Sequence, residues 1–233
     1  MAAKVIGILG GMGPEATWDL FGRIIKGTPA AKDSDHHRVI IDSNPNIPDR
    51  TQAILETGPS PVEMMITTGK NLELAGAGLI LVPCMTAHAF IEPLQTALSV
   101  PVVNAFDLMR RHLSADAFSI TKVAVIATSG SLKSGLYQHY LRDFQLILPE
   151  PEMQEKEIMD LIYGPQGIKA GHVNGQVITR LNRLIAHFQS AGAEAVIAGC
   201  TEIGLVLKGQ PMPLPVIDPL DLMTFEAIRW ASN

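Results

Sequence analysis

The sequence predicts an α/β fold made of two similar halves, each a parallel sheet with helices on both faces. Three observations carry this reading. Short apolar runs alternate with helix-length stretches along the whole chain, the signature of strand–helix–strand units with parallel strands. Leu79–Ala87 (LILVPCMTA) and Ala195–Ile203 (AVIAGCTEI) each run four apolar residues into a small loop residue, Pro83 or Gly199, and then a cysteine where a strand hands over to a helix. The residues leading into them align at an offset of 116, Ala75, Gly76 and Ala77 on Ala191, Gly192 and Ala193, and Cys84 on Cys200. The repeat extends further: PVVNAFDLM at 101–109 returns as PVIDPLDLM at 215–223, and VIGILG at 5–10 lies 118 before VAVIAT at 123–128. Two such halves can face their cysteines across one cleft by pseudo-two-fold symmetry.

Taken in order, 5–9 is a buried strand, and GGMGPEAT at 10–17 is a glycine-rich turn into a helix with Pro14 in its first turn. That turn offers N–H groups to an anion, or is simply a tight turn; it is neither a Walker loop nor a GxGxxG dinucleotide site. Residues 39–42 form the second strand, and SNPNIPDR at 43–50 a loop carrying Asn44 and Arg50 beyond the strand end, where open α/β sheets bind ligands. Arg50 there is either a carboxylate clamp or an ordinary surface arginine. Helix follows at 61–75, strand at 79–82, helix at 87–98, a short strand at 102–103 and a helix from about Phe106. The second half repeats the order: strand 122–127, the polar turn TSGS at 128–131, helix 132–142, strand 145–148, helices 155–163 and 173–191, strands 195–198 and 215–217, and helix 220–230. Between the short helix 155–163 and the long helix 173–191, GIKAG at 167–171 holds Lys169, by itself a solvated cation.

With 233 residues, 47% of them hydrophobic, the chain has core material for two units of about 110 to 120 residues each. Charged residues are 18% and the net charge is −5, so there is no basic surface for nucleic acid and none is expected as a partner. The 18-residue stretch 74–91 lacks Asp, Glu, Lys and Arg, but Gly76, Gly78, Pro83, Thr86 and His88 interrupt it, so a buried strand and helix are expected rather than a membrane span. No secretory core follows Lys4, and a cytoplasmic protein with reduced thiols is expected.

Cys84 and Cys200 are the only cysteines. A thiol at a helix start meets unpaired backbone N–H groups and the positive end of the helix dipole, both of which favour the thiolate. A lone buried cysteine is more often a small hydrophobe, but two at matching positions of matching segments suit proton transfer from two sides. Cys84 with His88, four residues on, invites a metal site with His36 or His37; no second paired ligand spacing supports it, and His88 is read as a hydrogen-bonded neighbour of the site. No G-x-S-x-G is present, and a nucleophile built on Cys84 alone leaves Cys200 without a role.

Five motifs in order, GILGGMGPEAT (7–17), NPNIPDRT (44–51), PCMTAH (83–88), GIKAG (167–171) and AGCTEIGL (198–205), resemble the cofactor-independent aspartate/glutamate racemase family over the whole chain, closest to its aspartate racemase branch. The resemblance implies two flavodoxin-like domains with the substrate between them, a last helix that crosses back to the first domain, a homodimer, and no pyridoxal phosphate or metal. The domains are then 1–104 with 216–233, and 105–215. Carried over by position, Cys84 and Cys200 match the catalytic acid/bases, Arg50 and Lys169 the carboxylate-binding cations, and Met12, Asn44, Thr86, Thr128 and Thr201 the pocket lining, with His88 and Glu202 as supporting residues. The family motif usually reads PCNTAH; here Met85 replaces the asparagine, and this substrate-binding position becomes apolar and flexible. The expected reaction is racemisation of aspartate or glutamate by two cysteines. The alternatives are a broad-specificity amino-acid racemase, a maleate isomerase or hydantoin racemase of the same superfamily, and a non-catalytic small-molecule sensor.

Overall fold

β1 (Val5–Gly10) is buried along its whole length at the centre of a parallel three-stranded sheet, with β2 (Arg38–Ser43) on one side and β3 (Leu79–Leu81) on the other. An unbroken apolar run is what a strand covered on both faces requires. The computed structural model describes residues 4–115 and 120–233, and the chain divides into two compact units, Met1–Ala105 with Leu220–Asn233, and Phe106–Pro219. In the first unit a parallel bridge from Ile80 to Val102 adds the start of a fourth strand beyond β3. In the second, β4 (Lys122–Ile126), β5 (Gln145–Ile147), β6 (Ala195–Ala198) and β7 (Val216–Ile217) form a parallel sheet in the order β5-β4-β6-β7.

The two sheets share one connectivity, and their registers show how the repeat is built. Ile6 pairs with Leu79 as Val123 pairs with Ala195. Ile80 N–H donates to Pro101 O at 2.9 Å and Val196 N–H to Pro215 O at 3.0 Å. The offsets 116 and 114 therefore hold, whereas the offset of the first strands is 117 and not the 118 read from sequence. That one-residue slip went unseen because β1 is buried on both faces: with no polar alternation, either register looks equally apolar.

The helix Pro14–Gly27 begins behind the turn Gly10–Gly13, with Glu15 in its first turn and Lys26 in its last, the charges the helix dipole favours. Gly11 has φ +91 and sits so close to Asn44 that a Cβ would strike that residue's backbone. Thr17 ties the turn to the helix, its Oγ1 accepting from Gly11 N–H at 2.9 Å and donating to Gly13 O at 3.0 Å. The last helix, Pro219–Ser232, packs in the first unit, where Lys4 donates to Trp230 O at 2.9 Å. Residue 216, the expected boundary, lies inside the second unit, since β7 pairs with β6 and the chain leaves only after Pro219.

Several elements differ in detail from the sequence reading. The helix expected at 87–98 is a 3₁₀ turn, Met85–Phe90, followed by an α-helix, Ile91–Ala97; Pro93 has no N–H to give an α-helix starting earlier. The helix expected at 132–142 is two, Ser129–Lys133 and Leu136–Tyr140, separated by Gly135 at φ +74. The helix expected at 155–163 starts at Pro151, a proline in the first turn that sequence reading took for loop, and widens to π geometry over Gln154–Ile158. Arg50 is not on a loop: Asp49 caps a short helix, Arg50–Ile54, through its side chain to Gln52 N–H at 2.8 Å.

Arg23, itself buried, joins the first helix to the last, its guanidinium bonding buried Asp19 at 2.6 Å and exposed Asp221 at 2.6 Å. Removing the cation strands a buried carboxylate, so Arg23→Met should lower stability by about 3 kcal/mol. Asp221→Asn, at an exposed partner, should lower it by less than about 1 kcal/mol. Urea unfolding of both variants checks the order, and equal losses would contradict it.

Candidate active site

Cys84 and Cys200 both stand at the carboxyl end of a strand beside the central one, β3 and β6, and each immediately precedes the helical turn that follows. Both are buried and neither is in a disulfide. The two surroundings differ, and each is described within its own unit.

In the first unit, Leu9, Met12, Ile47, Val82 and Cys84 pack in one apolar cluster, which brings the turn after β1 to the cysteine. Asn44 is fixed beside that turn: its N–H donates to Gly10 O at 3.3 Å, its amide to Thr68 Oγ1 at 3.2 Å, and its Oδ1 accepts from Asn46 N–H at 3.1 Å. Arg50 is buried and donates to Met12 O at 3.2 Å, Ile47 O at 3.2 Å and Pro48 O at 3.0 Å. Met12, Asn44 and Arg50 thus belong to one hydrogen-bonded edge. Met85 and Thr86, the two residues after Cys84, are buried with it.

His88 is fully enclosed and neutral. Its Nδ1 lies 3.0 Å from Cys84 O and its Nε2 accepts from Ala105 N–H at 3.1 Å, which places the ring proton on Nδ1. Burial drives its pKa from 6.5 down to about 4 against the smaller opposing effect of backbone hydrogen bonds. His88 therefore supports the backbone of the cysteine turn rather than the sulfur. Among the described residues no three His, Cys, Asp or Glu side chains gather to hold a metal ion, so the set imagined around Cys84, His88 and His36 or His37 is not assembled.

In the second unit, Cys200 carries the only thiol that meets a carboxylate among the described residues. Its Sγ donates to Glu202 Oε2 at 2.9 Å, and Thr201 Oγ1 donates to the same oxygen at 3.2 Å. The other oxygen of Glu202 accepts from Lys169 Nζ at 2.5 Å, with Lys169 also 5.6 Å from the centre of the Tyr163 ring. Burial pushes Glu202 up, but Lys169 and the hydrogen bonds it accepts outweigh this, so the carboxyl stays below its ordinary value. Burial, and then the charge of Glu202, raise the Cys200 thiol well above its ordinary value, and Lys169 offsets only part of that. The expectation that a helix start favours the thiolate fails here, because a seven-residue helix offers less than burial of the thiol and the adjacent Glu202 anion oppose.

Lys169 is thus no solvated loop residue but part of an ion pair. Thr128 lies at the end of β4 and caps Ser129–Lys133, accepting from Ser131 N–H at 3.1 Å. Sequence reasoning missed Tyr137, whose hydroxyl donates to Gly199 O at 3.2 Å, and Gln154, whose amide donates to Ala127 O at 3.0 Å and Ser129 Oγ at 3.1 Å. Their partners lie 62, 27 and 25 residues away, so no local pattern signals them.

A model of the family described as Asp/Glu/hydantoin racemase matches residues 9–227. The chain belongs to this family. Racemases are isomerases, and this chain is one by family. The broad specificity amino-acid racemase RacX of Bacillus subtilis (strain 168) is 27% identical over 224 residues, 92% of each chain. The glutamate racemase of Corynebacterium diphtheriae is 27% identical over 156 residues, 64% of this chain and 56% of that one. Among solved structures, the Picrophilus torridus aspartate racemase superposes with a TM-score of 0.84 at 27% identity, over 98% of this chain and 94% of that one. Two α/β units with parallel sheets are what this chain shares with it. No described helix is long and apolar enough to cross a membrane, and the stretch 74–91 resolves into a helix end, β3 and the 3₁₀ turn.

The depressed His88 pKa makes stability pH-dependent. Between about pH 6.5 and 4 the unfolded chain binds a proton that the folded one refuses, so the stabilisation is complete above 6.5 and is lost as pH falls through that window. Two to three pKa units correspond to about 3 kcal/mol. Urea unfolding at pH 7 and pH 5 should show wild type losing more stability than His88→Gln; identical losses would contradict the neutral, buried imidazole.

Proposed function

We propose that the protein interconverts the L and D forms of an α-amino acid, with aspartate and glutamate the leading substrates, using Cys84 and Cys200 as a pair of acid/bases. One sulfur, as thiolate, takes the α-proton; the other, as thiol, gives a proton to the opposite face of the same carbon. The Cα–H bond on one face breaks as a new one forms on the other, and the thiols exchange protonation states, so the reaction is balanced without a redox partner, pyridoxal phosphate or a metal. The α-carbon is a weak acid, and stabilising its carbanion calls for cations and N–H donors around the substrate's carboxylates. In this reading Arg50 and Lys169 supply the cations, and Met12, Asn44, Thr86, Thr128 and Thr201 line the pocket. A homodimer of a cytoplasmic protein completes the proposal.

The observation that carries it is the duplicated strand–cysteine–helix unit, with both cysteines at register-equivalent strand ends. Neither a hydantoin substrate nor maleate has a feature of this chain in its favour. Broad specificity does: Met85 is buried beside Cys84 where the family motif carries asparagine, and the relative matched over most of both chains is a broad-specificity racemase. An apolar, flexible lining residue accepts side chains other than carboxylates.

Circular dichroism of aspartate, glutamate and a panel of neutral amino acids, incubated with wild type, Cys84→Ala and Cys200→Ala, tests both points. Wild type should racemise at least one acidic amino acid, and each variant should lose roughly a hundred-fold or more in both directions. Full activity in either variant would remove the two-cysteine mechanism. Activity confined to neutral amino acids would move the substrate to the broad-specificity reading.

A further inference from the structure

The two halves of the repeat carry different groups beside their cysteines, and the difference lies in where a proton is held. Aligning Cys84 with Cys200 at offset 116 places Thr86 on Glu202. The first unit therefore has a neutral hydroxyl residue where the second has a carboxylate, and the described residues give the Cys84 sulfur no hydrogen-bond partner, whereas Cys200 donates to Glu202 at 2.9 Å.

We propose that Glu202, oriented by Lys169, fixes the proton on Cys200 and so makes Cys200 the acid of the free protein and Cys84 the base of its first stroke. The geometry carries this. Glu202 Oε1 is held at 2.5 Å by the Lys169 ammonium, which keeps the carboxyl ionised, and an ionised carboxylate has no proton to give. Its other oxygen meets the Cys200 sulfur at 2.9 Å, so the proton between them belongs to sulfur. Thr201 Oγ1 donates to the same oxygen.

The polar groups around this thiol and its helix come from four elements. Glu202 and Thr201 lie on the helix Thr201–Leu207, and Lys169 on the turn Ile168–Ala170. Tyr137 reaches the preceding carbonyl, and Asp218, after β7, lies against Gly204. Lys169 and the Glu202 backbone N–H favour the thiolate, and burial together with the Glu202 carboxylate outweighs them.

A consequence follows for turnover. After Cys84 removes the α-proton and Cys200 delivers its own, the Cys200 sulfur is a thiolate beside the Glu202 carboxylate, two adjacent anions sharing one ammonium. The two protonation forms of the protein are therefore unequal, and the form with Cys200 protonated dominates between turnovers. Glu202 acts through Cys200 and is a positioning residue. This inference rests on the two-cysteine reading but is testable without substrate.

The test is the pH profile of iodoacetamide alkylation, read separately at Cys84 and Cys200 by peptide mass spectrometry, on wild type, Glu202→Gln and Lys169→Met. In Glu202→Gln the Cys200 profile should move to lower pH, and its rate at neutral pH should rise roughly three-fold for each unit moved, since a more populated thiolate is also a weaker nucleophile. In Lys169→Met the Cys200 profile should move to higher pH. The Cys84 profile should stay in place in both variants, which separates a charge effect from general loosening. A Cys200 profile unmoved in both variants would overturn the proposal, as would equal shifts at both cysteines. Loss of racemisation in the cysteine variants with no shift here would leave the two-cysteine mechanism and remove the role of Glu202; the shift without racemisation would do the reverse.

Discussion

Parallel pairing of β3 against β1, and of β6 against β4, is the constraint on which the rest of the structure depends. The pairings begin at equivalent positions, Leu79 and Ala195, so each half delivers a cysteine to the carboxyl edge of its sheet. The small residues before the sulfurs serve this placement. Gly199 N–H donates to Ile126 O at 2.8 Å while a Cβ at Gly199 would meet Ala127 and the Tyr137 hydroxyl, so the strand end approaches closely enough for Tyr137 to hold its carbonyl. Both strands that lead to the cysteines, β3 and β6, are buried along their whole length, and fixed placement matters where proton transfer depends on the position of reacting groups.

Within that shared frame the halves have diverged at the positions that set polarity. Offset 116 places His88 on Gly204, and offset 114 places Asn104 on Asp218. In the first half the His88 imidazole spans the space between the cysteine turn and Ala105. In the second, Gly204 leaves that space to the Asp218 carboxylate, which a Cβ at position 204 would strike. An imidazole fills one half and the Asp218 carboxyl group the other, and Glu202 adds an anion next to Cys200, offset by Lys169. In the proposed proton exchange one group begins as base and the other as acid, and unequal charge biases which is which.

The sheets, their parallel strands and the placement of both cysteines were legible in the sequence, because buried parallel strands leave uninterrupted apolar runs and a duplication exposes equivalent positions. Register was not: the apolar run of β1 fits offsets of 117 and 118 equally well. Helix interiors were also harder to read than strands. Gly135 breaks a run whose periodicity looks continuous, and Pro151, a loop signal by composition, opens a helix instead. Near Cys200, the sequence motifs named Lys169 and Glu202 but not their pairing, which joins positions 33 apart. The state of the Cys200 thiol was misread for the same reason: a helix start is visible in sequence, whereas a buried carboxylate two residues on has an effect that depends on how it is turned.

The claim that two opposed thiols share one proton-transfer reaction is tested most directly by following the α-carbon of a single enantiomer in D2O by proton NMR. With two bases, the product enantiomer forms carrying deuterium while the remaining substrate stays protiated at early times, because each sulfur exchanges its proton with solvent and serves only one face. Product that retains the original proton, or deuterium entering substrate as fast as product, would mean that one group serves both faces and would contradict the account.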